Sequence, residues 1–305
     1  MRLRRHRLAD GTGHTLAVQD AESEAWRALP PELACGGDMV AFLGAGATSP
    51  PTVAEAVAID PTPLLPFAPR SLRASSLYEA HIVASSRALV QRFFPPLQAR
   101  ALRGFEKVAR RDFPKLKPPP LFYEKPLFYV GNHTAFVADG EPLRYPPHTR
   151  WLDFELEVGF VLAGEGPEIA GFVLVNDWSA RDIQADEYQR GMFGPVVKTK
   201  TFANSMGSTV VTADEVLPRL AAGLAAEVRV NGEVWARSST AGAQHGPEAM
   251  VAYAGEGERL GAGDLFSMGT LPGCCGLELD RWLSPGDEVV LDVELLGTLR
   301  TRIDE

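Results

Sequence analysis

The sequence predicts an α+β protein that is mostly β, with a smaller α/β region at its N-terminus. Two observations along the chain indicate this. Residues 121–305 are rich in strand patterns and contain one strong helix pattern, whereas residues 1–112 mix short strand patterns and Gly-Gly turns with helices expected around 52–57 and 75–93. The proline-rich stretch 113–120 between them is typical of an extended linker. We therefore expect an N-terminal domain (1–112), a linker (113–120) and a second, larger domain (121–305).

The most informative strand pattern is the run 153–162, in which Glu155 and Glu157 alternate with apolar residues. Residues two apart in a strand point to the same face, so the two carboxylates are expected side by side. A solvent-exposed edge strand would show the same alternation. The next strand pattern favours a site, because the apolar run 171–175 predicts a buried strand that leads to Asp177, beside the predicted start of a helix.

Three carboxylates placed together repel one another, so a positive charge must offset them. Glu155, Glu157 and Asp177 offer oxygen ligands, and no cysteine lies near them in the sequence. Oxygen ligands suit Mg²⁺ or Mn²⁺, and also Ca²⁺, better than they suit Zn²⁺. The three residues are therefore the predicted ligands of a divalent metal.

Composition excludes several classes of function. A net charge of -9 and an isoelectric point of about 5.3 argue against nucleic-acid binding, which needs a concentrated basic face. The basic residues 1–8 are not followed by an apolar run, so neither secretion nor membrane insertion is expected. The three cysteines form neither a metal-ligand spacing nor a disulfide framework. We expect a cytoplasmic protein with a large core.

Three motifs resemble those of the fumarylacetoacetate hydrolase superfamily. They occur in the family's order and approximate spacing, as Leu-Asp-Phe-Glu-Leu-Glu at 152–157, Asn-Asp-Trp-Ser-Ala-Arg-Asp-Ile-Gln at 176–184 and Gly-Pro-Val-Val-Lys-Thr-Lys-Thr-Phe at 194–202. The resemblance runs from about residue 120 to the C-terminus. It implies a catalytic domain with a rolled, mixed β-sheet, a homodimer, and a divalent metal held by the three carboxylates named above.

The resemblance also implies catalytic residues. Lys200 matches the family's lysine better than Lys198 does, and an ammonium at this position would stabilise an enolate. The implied base is His81, but many relatives carry a glutamate three residues later, where this chain has Ala84. Another branch of the family orients its histidine with a glutamate near the C-terminus, and Glu278 stands at the matching position. Without such a partner, a helical histidine is more often a packed residue than a base.

Five further residues are implied to contact the substrate: Arg181, Gln184, Tyr188, Thr270 and Tyr129. Arg181 has an alternative role, in which it pairs with the acidic cluster. Thr270 has an alternative role as a turn hydroxyl. Tyr129 is expected in a loop at the mouth of the pocket.

These expectations predict a metal-dependent hydrolase of a carbon–carbon bond in a β-diketone or acylpyruvate, a small-molecule 2-oxo acid. Lys200 would stabilise the enolate, and water activated by His81 would attack the remote carbonyl. A decarboxylase, isomerase or dehydratase acting on a 2-oxo acid such as oxaloacetate would use the same metal without water attack, and Ala84 favours this alternative. A non-catalytic ligand-binding protein is the third reading. Burying unpaired charges costs several kcal/mol, so a cluster of carboxylates is expected to be retained only where it binds a metal or substrate. This cost argues against a protein without catalytic function.

Overall fold

The computed structural model describes residues 1–19, 25–46 and 57–305. Within these ranges lie eight α-helices, two short 3-10 helices at Cys35–Gly37 and Pro114–Leu116, and eighteen strands. The helices are α1 (Met39–Gly44), α2 (Glu79–Phe93), α3 (Pro96–Ala109), α4 (Pro120–Glu124), α5 (Arg181–Arg190), α6 (Ala213–Leu220), α7 (Pro247–Ala254) and α8 (Gly276–Leu279). The strands are β1 (Arg2–Arg7), β2 (His14–Gln19), β3 (Trp26–Ala28), β4 (Ser71–Ser75), β5 (Phe128–Val130), β6 (Phe136–Ala138), β7 (Leu143–Arg144), β8 (Leu152–Asp153), β9 (Glu155–Ala163), β10 (Glu168–Asn176), β11 (Ser179–Ala180), β12 (Asn204–Met206), β13 (Thr209–Thr212), β14 (Ala225–Val230), β15 (Glu233–Ser239), β16 (Asp264–Cys275), β17 (Glu288–Val293) and β18 (Gly297–Asp304).

Most strands belong to one mixed, eleven-stranded sheet. Its main path is β3-β2-β1-β13-β10-β9-β16-β4-β5, and β12 connects β10 to β6. In its centre, β9 pairs antiparallel with β10 and β16, while β16 pairs parallel with β4. A five-stranded sheet in the order β15-β14-β17-β18-β7 and a pair formed by β8 and β11 complete the fold. The predicted α+β class, mostly β and built on a mixed sheet, is confirmed.

The central strands are buried on both faces. Every residue of β9 is buried, which explains why its sequence has no polar residue after Glu157. On one face, Phe160 stacks on Phe266 with ring centroids 5.0 Å apart. On the other face, Val161 and Leu265 belong to a second core cluster. The sheet is therefore a rigid support for whatever its strand ends carry.

The sheet crosses the predicted domain boundary. Strand β1 pairs with β13, and β4 pairs with β16, so strands from the first 112 residues join strands from the rest of the chain. In the predicted linker, Leu116 is buried against Val83 and Leu102 rather than extended in solvent. The division into domains stays a prediction. The main sheet contains strands from both sides of the predicted boundary.

One predicted helix starts later than expected, and another lies almost wholly outside the described residues. Helix α2 begins at Glu79, four residues after the predicted start at residue 75, because Ser71–Ser75 continue the sheet as β4. The helix predicted around 52–57 lies, except for Val57, outside the described residues. Among the helices of the described ranges, none combines the length and apolar character needed to cross a bilayer.

The strand ends bring the predicted motifs together. Because β9 and β10 are antiparallel, the start of β9 lies beside the end of β10, and Val175 is paired with Glu157. Strand β16 lies on the other side of β9, where Thr270 is paired with Glu157. Helix α8 follows β16 directly and contacts α2. One end of the central strands is therefore bordered by α2, α5 and α8.

Candidate active site

Three carboxylates meet at the shared end of β9 and β10, where the sequence places them. Glu155 and Glu157 lie on one face of β9, and Asp177 follows β10. One oxygen atom from each lies within 4.8 Å of the others, and all three side chains are buried. The Oδ1 atom of Asp177 is buried without a hydrogen-bond partner. The cluster therefore has oxygen atoms that can accept a further hydrogen bond or bind a cation.

Lys200 lies against this cluster, whereas Lys198 is exposed. The Nζ atom of Lys200 contacts Glu155 and lies 2.8 Å from Oδ2 of Asp177. Burial lowers the pKa of Lys200, but the carboxylates of Asp177 and Glu155 outweigh burial and hold that pKa above its usual value. The lysine is therefore charged at neutral pH.

Arg181 is buried among acidic side chains. Its Nε lies 2.7 Å from Oδ2 of Asp153, its Nη2 lies 2.6 Å from Oε1 of Glu155, and its Nη1 lies 2.8 Å from Oε1 of Gln184. Arg181 therefore pairs with the acidic cluster, as in its alternative role, and it also lines the cavity, so its contact with a substrate stays a prediction. The sequence analysis did not identify Asp153 as a site residue, although it stands two residues before Glu155 in the same alternating run.

Glu157 is held by hydroxyl groups from β16. The hydroxyl of Ser267 donates to its Oε2, and the hydroxyl of Thr270 donates to its Oε1 at 3.2 Å. Thr270 also lines the cavity, but its hydroxyl serves the carboxylate in this structure. No sequence signal pointed to Ser267, since it lies 110 residues from Glu157 and arrives through strand pairing.

Tyr129 lies in strand β5, not in the predicted loop. Strand β5 pairs with β4, and Tyr129 is the cross-strand partner of Ala74. The tyrosine hydroxyl donates to Oδ2 of Asp177 at 2.7 Å. Burial and the negative charge of Asp177 raise the pKa of Tyr129 well above its usual value, so it stays protonated and remains a donor.

The buried charges at this site do not balance. Six ionisable groups make up the set: Asp153, Glu155, Glu157, Asp177, Lys200 and Arg181. With all of them ionised, four negative charges face two positive ones. Burial, Asp177 and Glu155 together raise the pKa of Glu157 well above its usual value. A divalent cation would neutralise the excess, and the oxygen ligands fit Mg²⁺ or Mn²⁺.

His81 and Glu278 form a hydrogen-bonded pair beside the carboxylates. Nδ1 of His81, in the first turn of α2, lies 2.6 Å from Oε1 of Glu278 in α8. The backbone N–H of Gly273 donates to the other oxygen of Glu278 at 3.1 Å. The contact expected from the sequence is present. Since the carboxylate accepts from Nδ1, Nε2 is the ring nitrogen that can accept a proton.

The start of α8 is fixed by Asp153. The backbone N–H groups of Gly276 and Leu277 donate to Oδ1 and Oδ2 of Asp153, at 2.6 and 3.0 Å. A Cβ at position 276 would lie 2.5 Å from Oδ1 of Asp153 and 2.3 Å from the carbonyl oxygen of Arg281, so only glycine fits. Asp153 thereby positions the helix that carries Glu278.

A cavity of about 340 Å³ opens onto these groups. Every predicted site residue lines it except Glu278, which lies behind His81. Gln184 lies on its wall, and Tyr188 is 61% exposed at its edge. The cavity has the size of a small-molecule site.

The chain is similar to enzymes that act on small organic acids. Residues 100–304 match the family model described as fumarylacetoacetate (FAA) hydrolase C-terminal. A 4-hydroxyphenylacetate degradation bifunctional isomerase/decarboxylase of Escherichia coli is 26% identical over 242 residues, which are 69% of this chain and 53% of that protein. A mitochondrial oxaloacetate tautomerase of Xenopus laevis is 27% identical over 186 residues, which are 58% of this chain and 57% of that protein. The chain therefore spans little more than half the length of these relatives.

A solved structure is similar as well. A fumarylpyruvate hydrolase from Pseudomonas aeruginosa, in complex with Mn²⁺ and pyruvate, aligns with a TM-score of 0.54 and 21% identity over 79% of this chain and 98% of that chain. At this identity, the likeness concerns the fold. The family match covers about two thirds of the chain and includes every predicted site residue except His81. The chain belongs to the fumarylacetoacetate hydrolase superfamily.

Proposed function

We propose that the protein is a divalent-metal-dependent hydrolase that cleaves a carbon–carbon bond in an acylpyruvate or a related β-diketone. The observation that carries this proposal is one cavity bordered by the three carboxylates, by Lys200 and by His81, which Glu278 contacts from behind. Hydrolysis needs a group that stabilises an enolate and a base that activates water. Both kinds of group are available here.

The carboxylates Glu155, Glu157 and Asp177 would hold Mg²⁺ or Mn²⁺. A metal bound there would supply Lewis acidity to the oxygens of a 2-oxo acid. The Mn²⁺ and pyruvate in the similar fumarylpyruvate hydrolase support this choice of metal and ligand.

His81 would act as the general base. Glu278 holds Nδ1, so Nε2 would take a proton from water while the water oxygen bonds to the remote carbonyl carbon. The carbon–carbon bond then breaks, and its electron pair passes to the 2-oxo acid fragment as an enolate. His81 returns the proton to the enolate carbon, which gives a carboxylic acid and a 2-oxo acid as products.

Lys200 would stabilise the enolate. Its pairing with Asp177 and Glu155 keeps it charged even though it is buried. An ammonium already fixed beside the reacting oxygens needs no reorganisation when negative charge develops. Tyr129 supports this arrangement by holding Asp177.

The second candidate is a decarboxylase, isomerase or dehydratase of a 2-oxo acid such as oxaloacetate. Two observations favour it. Ala84 stands where many relatives have a glutamate, and the two relatives named above are an isomerase/decarboxylase and an oxaloacetate tautomerase. Such a reaction would use the carboxylate cluster and Lys200 without attack by water.

The variant His81→Ala separates the two candidates. If the protein is a hydrolase, this change should lower kcat for acylpyruvate cleavage at least about 100-fold while Mn²⁺ binding is unchanged. The matched control is His148→Ala, because His148 is exposed and lies outside the cavity. Full acylpyruvate cleavage by the His81 variant would rule out the proposed base. Turnover of oxaloacetate alone, by the unmodified protein and by the variant, would establish the second candidate.

A further inference from the structure

A second cavity adjoins the candidate active site between α2, α3 and α5. Its volume is about 350 Å³, and we call it the distal groove. Ser86, Leu89 and Tyr188 line both the active-site cavity and the distal groove. The two cavities therefore share a wall and meet along these three residues.

The buried part of the distal groove is aliphatic. Helix α2 contributes Leu89 and Val90, α3 contributes Leu102, and the 3-10 helix at Pro114–Leu116 contributes its last residue. Leu89, Leu102 and Leu116 are each less than 8% exposed. Two polar lining residues, Gln98 and Lys115, are exposed and form the outer margin, and a third, Ser86, is half-buried at the junction with the active-site cavity. A chain of carbon atoms would find no buried polar partner along these leucines.

Tyr188 stands at the junction of the two cavities. It is 61% exposed, and its ring centroid lies 5.9 Å from that of Phe94, which also lines the distal groove. An exposed aromatic ring at a junction can guide an apolar chain from one cavity to the next, because burial of that chain removes apolar surface from water.

We propose that the distal groove binds the apolar acyl chain of the substrate, so that the protein acts on 2-oxo acids with long, unbranched apolar tails. The proposal rests on the proposed function, which places the 2-oxo acid group at the carboxylate cluster. A volume of about 350 Å³ lies within the range of small-molecule sites and matches a chain better than a protein partner. Adjacency to the active-site cavity gives that chain a direct route.

The test is direct binding rather than turnover. Isothermal titration calorimetry of the Mn²⁺-loaded protein should compare pyruvate with straight-chain 2-oxo acids up to 2-oxooctanoate. The affinity should rise by up to about fourfold for each buried methylene group. Ala101→Trp, which places a large ring in the groove, should abolish this rise and leave the affinity for pyruvate unchanged. The control is Val108→Trp, because Val108 lies on the same helix, is 86% exposed and lies outside the groove.

The outcomes separate the two proposals. Equal affinity for short and long 2-oxo acids, or equal behaviour of the two tryptophan variants, would overturn the distal-groove proposal even if acylpyruvates are cleaved. A steep dependence on chain length without acylpyruvate cleavage would support the groove and overturn the hydrolase. Loss of self-association in Ala101→Trp without a change in chain-length dependence would assign the groove to an interface between two copies. Binding of no 2-oxo acid at all would overturn both.

Discussion

Glu155 and Glu157 lie two residues apart on one strand, yet their surroundings differ. Burial raises the pKa of Glu155, but the cations of Lys200 and Arg181 outweigh burial and hold that pKa below its usual value. Glu157 accepts hydrogen bonds from hydroxyl groups such as that of Ser267, and burial together with neighbouring carboxylates raises its pKa. In the metal-free protein, the charge on Glu155 stabilises the fold and the charge on Glu157 destabilises it.

Replacing each glutamate by glutamine should therefore have opposite effects on stability. A carboxyl group with a higher pKa in the folded state than in the unfolded state costs stability at pH 7. Glu157→Gln should thus raise the free energy of unfolding by about 1 kcal/mol or more. Glu155→Gln removes the one carboxylate that contacts both Lys200 and Arg181, so it should lower the free energy of unfolding by about 3 kcal/mol or more. Urea unfolding in the presence of a chelator measures both, and similar losses in both variants would contradict the charge account.

The role of Glu278 can be tested without removing the histidine. Glu278→Gln keeps an acceptor for Nδ1 of His81 but removes the negative charge that stabilises a protonated ring. We expect kcat for hydrolysis to fall about 100-fold while Mn²⁺ affinity is unchanged. Glu79→Gln is the control, because Glu79 lies on the same helix as His81 and pairs with Lys117 at 3.5 Å. Unchanged kcat in the Glu278 variant would show that the pair is structural.

At the scale of elements, local sequence patterns predicted the positions of side chains within a single strand. They did not predict contacts between side chains of different strands. Alternation in β9 and the apolar run of β10 place Glu155 and Asp177 correctly, because period-two geometry is local. Ser267 reaches Glu157 only through the pairing of β16 with β9. Tyr129 was predicted in a loop because three strand residues give too short a pattern to recognise.

The packing of α8 against Asp153 gives a prediction at the same scale. Gly276→Ala forces a methyl group against Asp153 and the carbonyl of Arg281, so it should destabilise the protein by about 1–3 kcal/mol and lower activity by displacing Glu278. Gly104→Ala is the matched control. Apart from its chain neighbours and the backbone of its own helix, no atom lies within 4 Å of the added Cβ, and alanine in the interior of α3 should stabilise the protein by about 0.5–1 kcal/mol. Thermal unfolding distinguishes the two, and a tolerated Gly276→Ala would contradict the proposed geometry.

At the scale of the whole molecule, the site depends on both predicted domains. His81 comes from the first 112 residues, while Glu278 and the carboxylates come from residues after 120. Strand β1 pairs with β13 on one side of the central strands, and β4 pairs with β16 on the other side. The proline-rich stretch was predicted as a linker from its composition, and composition does not reveal that Leu116 is buried against α2 and α3.

A fragment containing only residues 121–305 should therefore not fold as a stable unit. Without β1 and β4, the strands β13 and β16 would expose unpaired edges, which promote aggregation. We expect aggregation in size-exclusion chromatography and no cooperative thermal transition by circular dichroism, in contrast to the full chain. A monodisperse fragment with a cooperative transition would instead establish the predicted boundary as a real domain boundary.

The central claim is that the cavity uses a divalent metal to cleave the carbon–carbon bond of an acylpyruvate. The most direct measurement follows the ultraviolet enol absorbance of acylpyruvates with the purified protein in Mg²⁺ or Mn²⁺, with a chelator control and oxaloacetate in parallel. We predict loss of acylpyruvate absorbance that the chelator abolishes and that yields pyruvate and the acyl acid in equal amounts. Turnover of oxaloacetate with no acylpyruvate cleavage would contradict the claim.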